Sequence, residues 1–169
     1  MELYLIRHGI AQDATNEIAD EERSLTKEGR QKTEKIAHRL SQLGLAFDVI
    51  ATSPLIRARQ TSEILFSAGL TKQIEECKHL APSGHIYGWL VDWLLPKNYP
   101  QSSTIALVGH QPDLGNWAES LVWGEAKQNI VLKKAGIIGL KMPDKGLPLG
   151  KSQMFWLTPP KFLLASKLT

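Results

Sequence analysis

The feature that most narrows what this chain can fold into is the way its hydrophobic period alternates. Leu3-Tyr4-Leu5-Ile6, Phe47-Asp48-Val49-Ile50-Ala51 and Thr104-Ile105-Ala106-Leu107-Val108-Gly109 are short apolar runs of strand length, the pattern of strands buried on both faces. After each of them the period becomes helical. Ile36, Ala37, Leu40 and Leu43 lie between a potential cap, Thr26, and Gly44. Ala58, Thr61, Leu65 and Ala68 lie between Ser53-Pro54, suited to an N-cap and a first helical position, and Gly69. Leu114, Trp117 and Leu121 lie between Gln111-Pro112 and Gly124. Weaker signals predict a strand near 74–77, a loop containing Pro82 and Gly84, and a helix over 87–95 stopped by Pro96. Late strands are predicted over 136–142 and 153–157. The five tryptophans read as core and helix-packing residues. Strands alternating with helices predict an α/β fold, a three-layer α/β/α arrangement with a mostly parallel central sheet.

No repeat, linker or low-complexity tract interrupts the 169 residues, so one domain over 1–169 is expected. Hydrophobic residues make up 43% and charged residues 22%, which argues against disorder. No apolar run is long enough for a membrane span, and Glu2-Leu3-Tyr4-Leu5-Ile6 has no basic lead-in of a signal peptide. Cys77 is alone, which excludes an internal disulfide and a cysteine-rich zinc site. The histidines show no zinc-ligand spacing. These readings imply a soluble protein of a reducing, cytoplasmic compartment, with monomer as the default state.

The net charge of +3 is unevenly distributed: residues 126–169 carry Lys127, Lys133, Lys134, Lys141, Lys145, Lys151, Lys161 and Lys167 against Asp144 alone. This tract lacks arginine, the better bidentate reader of phosphate, and interleaved aromatics, so a solvated lysine face is expected rather than a nucleic-acid surface. Gly146-Leu147-Pro148-Leu149-Gly150-Lys151-Ser152 has three residues between its glycines where a phosphate-binding loop needs four, and a strand signal follows. It reads as a hairpin connection.

Three segments leave the carboxyl ends of predicted strands: Arg7-His8-Gly9, Ser53-Pro54-Leu55-Ile56-Arg57 and Gly109-His110-Gln111-Pro112. In open α/β sheets the ligand crevice lies at those ends. Convergence there would join two arginines, two imidazoles and two helix N-termini, a set suited to a dianionic phosphoryl group. Arg57 in a first helical turn is poorly placed as a structural cation, because the helix dipole disfavours positive charge there; a bridging anion would remove the conflict. Arg59 lies about 200° further round the helix and takes no part. Gly9 lets the backbone pass close to the site, or makes a simple tight turn. Ser53 could touch phosphate, with capping the better reading.

These residues resemble the histidine phosphatase superfamily, the phosphoglycerate-mutase-like fold. Arg7-His8-Gly9 after the first strand is similar to its signature. Ser53-Pro54-Leu55-Ile56-Arg57-Ala58-Arg59-Gln60-Thr61 and Val108-Gly109-His110-Gln111-Pro112 are similar to its second and third motifs, and Leu25-Thr26-Lys27-Glu28-Gly29-Arg30-Gln31 to its intervening helix start. The short insertions, with Leu121-Val122-Trp123-Gly124 and Lys133-Lys134-Ala135-Gly136, resemble the phosphohistidine phosphatase SixA branch. The resemblance implies that His8 is a nucleophile that forms a transient phosphohistidine. Arg7, Arg57 and His110 would hold the transferring group, with neither metal nor cofactor. A histidine titrates near about 6.5, and neighbouring arginines disfavour its charged form.

Ester-cleaving members usually carry an acidic proton donor after the third strand. Here His79-Leu80-Ala81-Pro82-Ser83-Gly84-His85 has no carboxylate, and Glu75 and Glu76 belong to the preceding strand. The gap favours P–N over P–O cleavage, since a ring nitrogen is easily protonated; His85 could be a donor but reads as a solvated loop residue. The implied activity is dephosphorylation of a histidine-phosphorylated signalling or phosphotransfer protein. The alternatives are a small-molecule phosphomonoesterase and a phosphocarrier that retains phosphate on His8. The acidic stretch Asp13, Glu17, Asp20, Glu21, Glu22 rims the pocket or is plain solvated loop.

Overall fold

A computed structural model describes residues 1–15 and 18–165. Glu17 and Lys167, noted above, lie outside the described residues. The elements run β1 (Glu2–Arg7), α1 (Lys27–Gln42), β2 (Val49–Thr52), α2 (Ile56–Ser67), β3 (Ile74–Glu76), α3 (Ile86–Gly88), a π-helical stretch Trp89–Leu94, α4 (Leu95–Lys97), β4 (Thr104–Gly109), α5 (Asp113–Trp123), β5 (Ile137–Lys141), β6 (Gln153–Thr158) and α6 (Pro160–Leu164). The sheet order is β3-β2-β4-β1-β5-β6. β1 to β4 run parallel, and β5 is antiparallel to both its neighbours. This is the mostly parallel sheet that the buried apolar runs imply.

The buried side chains of β1 alternate between two cores. Leu3 and Leu5 join a core with the π-helical stretch and α5, through Trp89, Leu90, Trp117 and Leu121. Tyr4 and Ile6 join a second core, with Ile36 and Leu40 of α1, Ala58 and Leu65 of α2 and Leu163 of α6. The sheet is thus covered on both faces, the three-layer arrangement. Among the described residues no helix is long and apolar enough to cross a membrane.

Several local expectations hold. Thr26 caps α1, its hydroxyl accepting from Gly29 N–H at 2.9 Å. Gly69 and Gly124 take positive φ where α2 and α5 end. The 142–152 segment joins antiparallel β5 and β6. Others are corrected. Ser53 and Pro54 precede α2 rather than opening it; its N-cap is Leu55, without a side-chain bond. Helix continues one residue past Pro96, to Lys97, and ends at Asn98 with positive φ; Pro96 lies in the last turn, directly after the π-helical stretch. Leu43 follows the end of α1 and is exposed, and Trp123 is exposed at the end of α5, so the tryptophans are not all core. α6 carries no periodic signal, being one short turn after Pro159.

The start of α1 is docked on the chain leaving β1. Thr26 N–H donates to Ile10 C=O at 3.0 Å, and a Cβ on buried Gly29 would run into that carbonyl. Gly29→Ala is expected to cost about 3 kcal/mol, because backbone on both sides cannot yield. The Tm should fall by roughly 6–12 °C; an unchanged Tm would refute this account of the docking.

Candidate active site

Strand register builds the site. β4 lies between β1 and β2, with Arg7 opposite Gly109 and Thr52 opposite Val108. The residues just beyond are then sewn together: His8 N–H donates to Gly109 C=O at 3.0 Å, and Ser53 N–H to Val108 C=O at 2.9 Å. Arg7, His8, Arg57 and His110 thereby line one cavity of about 330 Å³, with Asp20, Asp113, Lys134 and short stretches at 82–83 and 111–112 on its walls. All four sequence-predicted residues meet; Arg59 is exposed and outside it.

His8 is buried, its ring centroid 5.2 Å from that of His110. Its Nδ1 stands 2.7 Å from Gly9 C=O. A carbonyl only accepts, so Nδ1 carries the proton and the neutral ring leaves Nε2 with a free lone pair. Burial pushes the His8 pKa down to about 3; the Gly9 bond opposes this, while His110, Arg57 and Arg7 add to it. Burial, then Arg57, pushes His110 down to about 4. Both imidazoles are therefore neutral at neutral pH.

His110 Nε2 pairs with Ser53 Oγ at 2.8 Å. That hydroxyl also accepts from Leu55 N–H at 3.3 Å, so Ser53 serves the loop and the imidazole rather than a helix cap. Gly9 does not have a positive φ. A Cβ there would strike the Thr33 hydroxyl of α1, so close packing against that helix requires the glycine. Its N–H donates to Thr61 Oγ1 of α2 at 3.0 Å.

Arg57 is buried and gripped by Asp20, through its backbone carbonyl and through Oδ2 at 2.9 Å from Nη2. The anion that Arg57 needs in a first helical turn is thus a carboxylate of the acidic loop. Asp20, bonded to Arg23 and Arg57, is held below its ordinary pKa. Arg7 donates from Nη1 to Leu132 C=O at 2.9 Å; burial, then Arg57, pushes its pKa down. Arg7 Nε, Arg57 Nε and His110 Nδ1 are buried without a hydrogen-bond partner among the described residues. Unmet donors and adjacent cations in one cavity call for an anion with several oxygens.

The Arg7 anchor is itself braced. Buried Glu119 of α5 accepts from the backbone N–H groups of Lys127, Gln128, Asn129 and Ile130. Gln111 then clamps Ile130 C=O at 2.9 Å and Leu132 N–H at 3.2 Å, and Ala135 N–H donates to Arg7 and His8 carbonyls. Asp113, Ser53 and Lys134 are residues of this site that sequence reasoning left aside or read otherwise; of the acidic stretch read as pocket rim or solvated loop, Asp20 stands on the cavity wall. Glu75 pairs with Lys97 across the sheet edge and His85 is exposed, so neither reaches the cavity. No group of three or more His, Cys, Asp or Glu among the described residues is arranged to hold a metal ion.

Residues 3–81 match the sequence model of the histidine phosphatase superfamily (branch 1). An uncharacterized protein of Picosynechococcus sp. is 46% identical over 165 residues, covering 97% of this chain and 99% of its own. The chain belongs to the histidine phosphatase superfamily. Its fold is that of known superfamily structures. The protein histidine phosphatase SixA complexed with tungstate superposes with a TM-score of 0.80 at 22% identity, over 96% of this chain and 99% of that one. A phosphoserine phosphatase from Entamoeba histolytica superposes at 0.69 and 18% identity, over 96% and 99%. Superfamily membership supports phosphatase activity.

Burial alone would push the Glu119 carboxyl up; the four N–H donors outweigh it and hold the pKa below its ordinary 4.5. The stabilisation is therefore complete above about pH 4.5 and is lost as pH falls through the lowered pKa. Glu119→Ala should cost on the order of 3 kcal/mol at pH 7 by orphaning those donors. Urea melts from pH 7 to pH 3 should show wild type losing more stability on acidification than Glu119→Gln; parallel losses would contradict this role.

Proposed function

We propose that the protein is a phosphohistidine phosphatase that dephosphorylates a histidine-phosphorylated signalling or phosphotransfer protein through a covalent phospho-His8. The observation that carries this reading is the neutral His8 ring, with Nδ1 bound to Gly9 C=O and Nε2 free, in the same cavity as the two guanidinium groups and His110.

The phosphoryl group would sit among the unmet donors of Arg7, Arg57 and His110. Asp20 and Leu132 orient the two guanidiniums without using their Nε atoms. If the Ser53 hydroxyl donates to His110 Nε2, Nδ1 carries that ring's proton and can donate to a phosphoryl oxygen. His8 Nε2 attacks phosphorus in line as the bond to the leaving nitrogen breaks, and the arginines neutralise charge on the equatorial oxygens. Water then attacks phospho-His8 and releases inorganic phosphate, restoring the neutral imidazole. Cationic side chains supply the charge neutralisation, so no metal is required.

Two features support a protein-borne phosphohistidine: the short connections that edge the cavity, residues 77–85 between β3 and α3 and 110–112 between β4 and α5, and the likeness in fold to SixA. A second reading, a phosphomonoesterase, is favoured by Asp113, a carboxylate in the cavity although the 79–85 segment has none. The deciding assay is phosphate release from a phosphohistidine-bearing phosphotransfer protein beside a panel of phosphate esters. Phosphohistidine should be preferred, His8→Ala should reduce release by ~10³-fold or more, and a chelator should leave the rate unchanged. Preference for esters would establish the phosphomonoesterase, and phosphate retained on His8 without release would establish a carrier.

A further inference from the structure

The cavity holds two carboxylates in opposite circumstances. Asp20 is engaged by Arg57 and Arg23, which keeps it ionised and unable to give up a proton. Asp113, the first residue of α5, is half-buried and has no cationic partner among the described residues. Its Oδ2 accepts from Ser83 N–H at 2.9 Å, and Oδ1 makes no hydrogen bond among the described residues. Ser83 belongs to the segment after β3, so the backbone that lacks an acidic side chain of its own holds one contributed by α5. Burial pushes the Asp113 carboxyl above its ordinary 3.8, against the opposing effects of the Ser83 bond and nearby His85. Two carboxyls pushed apart by their surroundings are the mark of divided acid and spectator roles.

We propose that Asp113 is the proton donor to the leaving group, its carboxyl aimed into the cavity of His8, Arg57 and His110 by Ser83 N–H. This assignment rests on the phosphoryl-transfer reading above and adds the group that completes it. As His8 Nε2 bonds to phosphorus, the bond from phosphorus to the leaving oxygen or nitrogen breaks. That atom keeps the electron pair and takes the Asp113 proton. In the second half, water bonds to phosphorus and gives a proton to the Asp113 carboxylate. The P–Nε2 bond breaks, inorganic phosphate leaves, and His8 and Asp113 return to their starting forms.

Asp113→Asn tests this, since the amide oxygen still accepts from Ser83 N–H but the side chain has no acidic proton to give. kcat/KM is measured for 2,4-dinitrophenyl, 4-nitrophenyl and phenyl phosphate, with a phosphohistidine peptide as the control for substrate class and thermal melting as the control for folding. A dinitrophenolate leaves unaided, whereas phenolate needs a proton. The variant should lose ~100-fold on phenyl phosphate, in the range typical of a general acid, and at most about threefold on the dinitrophenyl ester. Its rates should fall more steeply with leaving-group pKa than those of wild type. An equal loss on all three esters, or no loss, overturns the assignment. Wild type that cleaves the aryl esters but not phosphohistidine refutes the substrate class alone and leaves the slope to decide Asp113. Wild type that cleaves none of them refutes the phosphatase reading and the donor with it.

Discussion

The site depends on one pairing constraint: β4 inserts between β1 and β2, parallel to both and in register with their carboxyl ends. Two backbone hydrogen bonds, His8 N–H to Gly109 C=O and Ser53 N–H to Val108 C=O, extend that register just past the strands. A slip of a single residue would turn the following side chains to the opposite face of the sheet. The helices secure the same loops from outside, α1 through Gly29 against Ile10 and Thr33 against Gly9, and α2 through Thr61 to Gly9 N–H. Geometry at the cavity is therefore a property of the sheet and its two flanking layers.

Electrostatics then follows from burial. Two guanidiniums in one cavity repel each other and disfavour any further cation, while desolvation acts most strongly on the imidazoles. The result is a neutral His8, its Nε2 lone pair free, beside fixed positive charge, a combination that free histidine at pH 7 does not guarantee. Asp20 partly offsets the positive charge, satisfies Arg57 in its unfavourable helical position, and leaves the Arg57 Nε unmet. Glu119, Gln111 and the 127–132 loop do the corresponding service for Arg7, at a distance from the chemistry.

Much of this was legible in sequence because it is local. The strand runs, the helical periods of α1, α2 and α5, the Thr26 cap and the terminal glycines are decided by neighbours within a few residues. The strand-end logic also brings Arg7, His8, Arg57 and His110 together, and the helix dipole argument calls for an anion at Arg57. What escaped was long-range. Ser53 reads as a cap until His110, 57 positions away, arrives beside it. Asp20 reads as pocket rim or solvated loop, and only its contact with Arg57, 37 positions on, decides between them. Asp113 and Ser83 are 30 positions apart, so a search for a carboxylate confined to residues 79–85 finds none. Trp123 reads as core because hydrophobicity alone does not say that the last residue of α5 faces solvent.

The central claim is that His8 attacks through Nε2 because Gly9 C=O holds the proton on Nδ1. The most direct measurement is the position of phosphorus on the trapped enzyme intermediate. Wild type is mixed with a phosphohistidine-bearing protein, quenched in base within milliseconds, digested, and the phosphopeptide assigned by mass spectrometry and by ³¹P–¹H correlation NMR. The account predicts phosphate on Nε2 of His8. Phosphate on Nδ1, on His110, or on no histidine of the enzyme would contradict it.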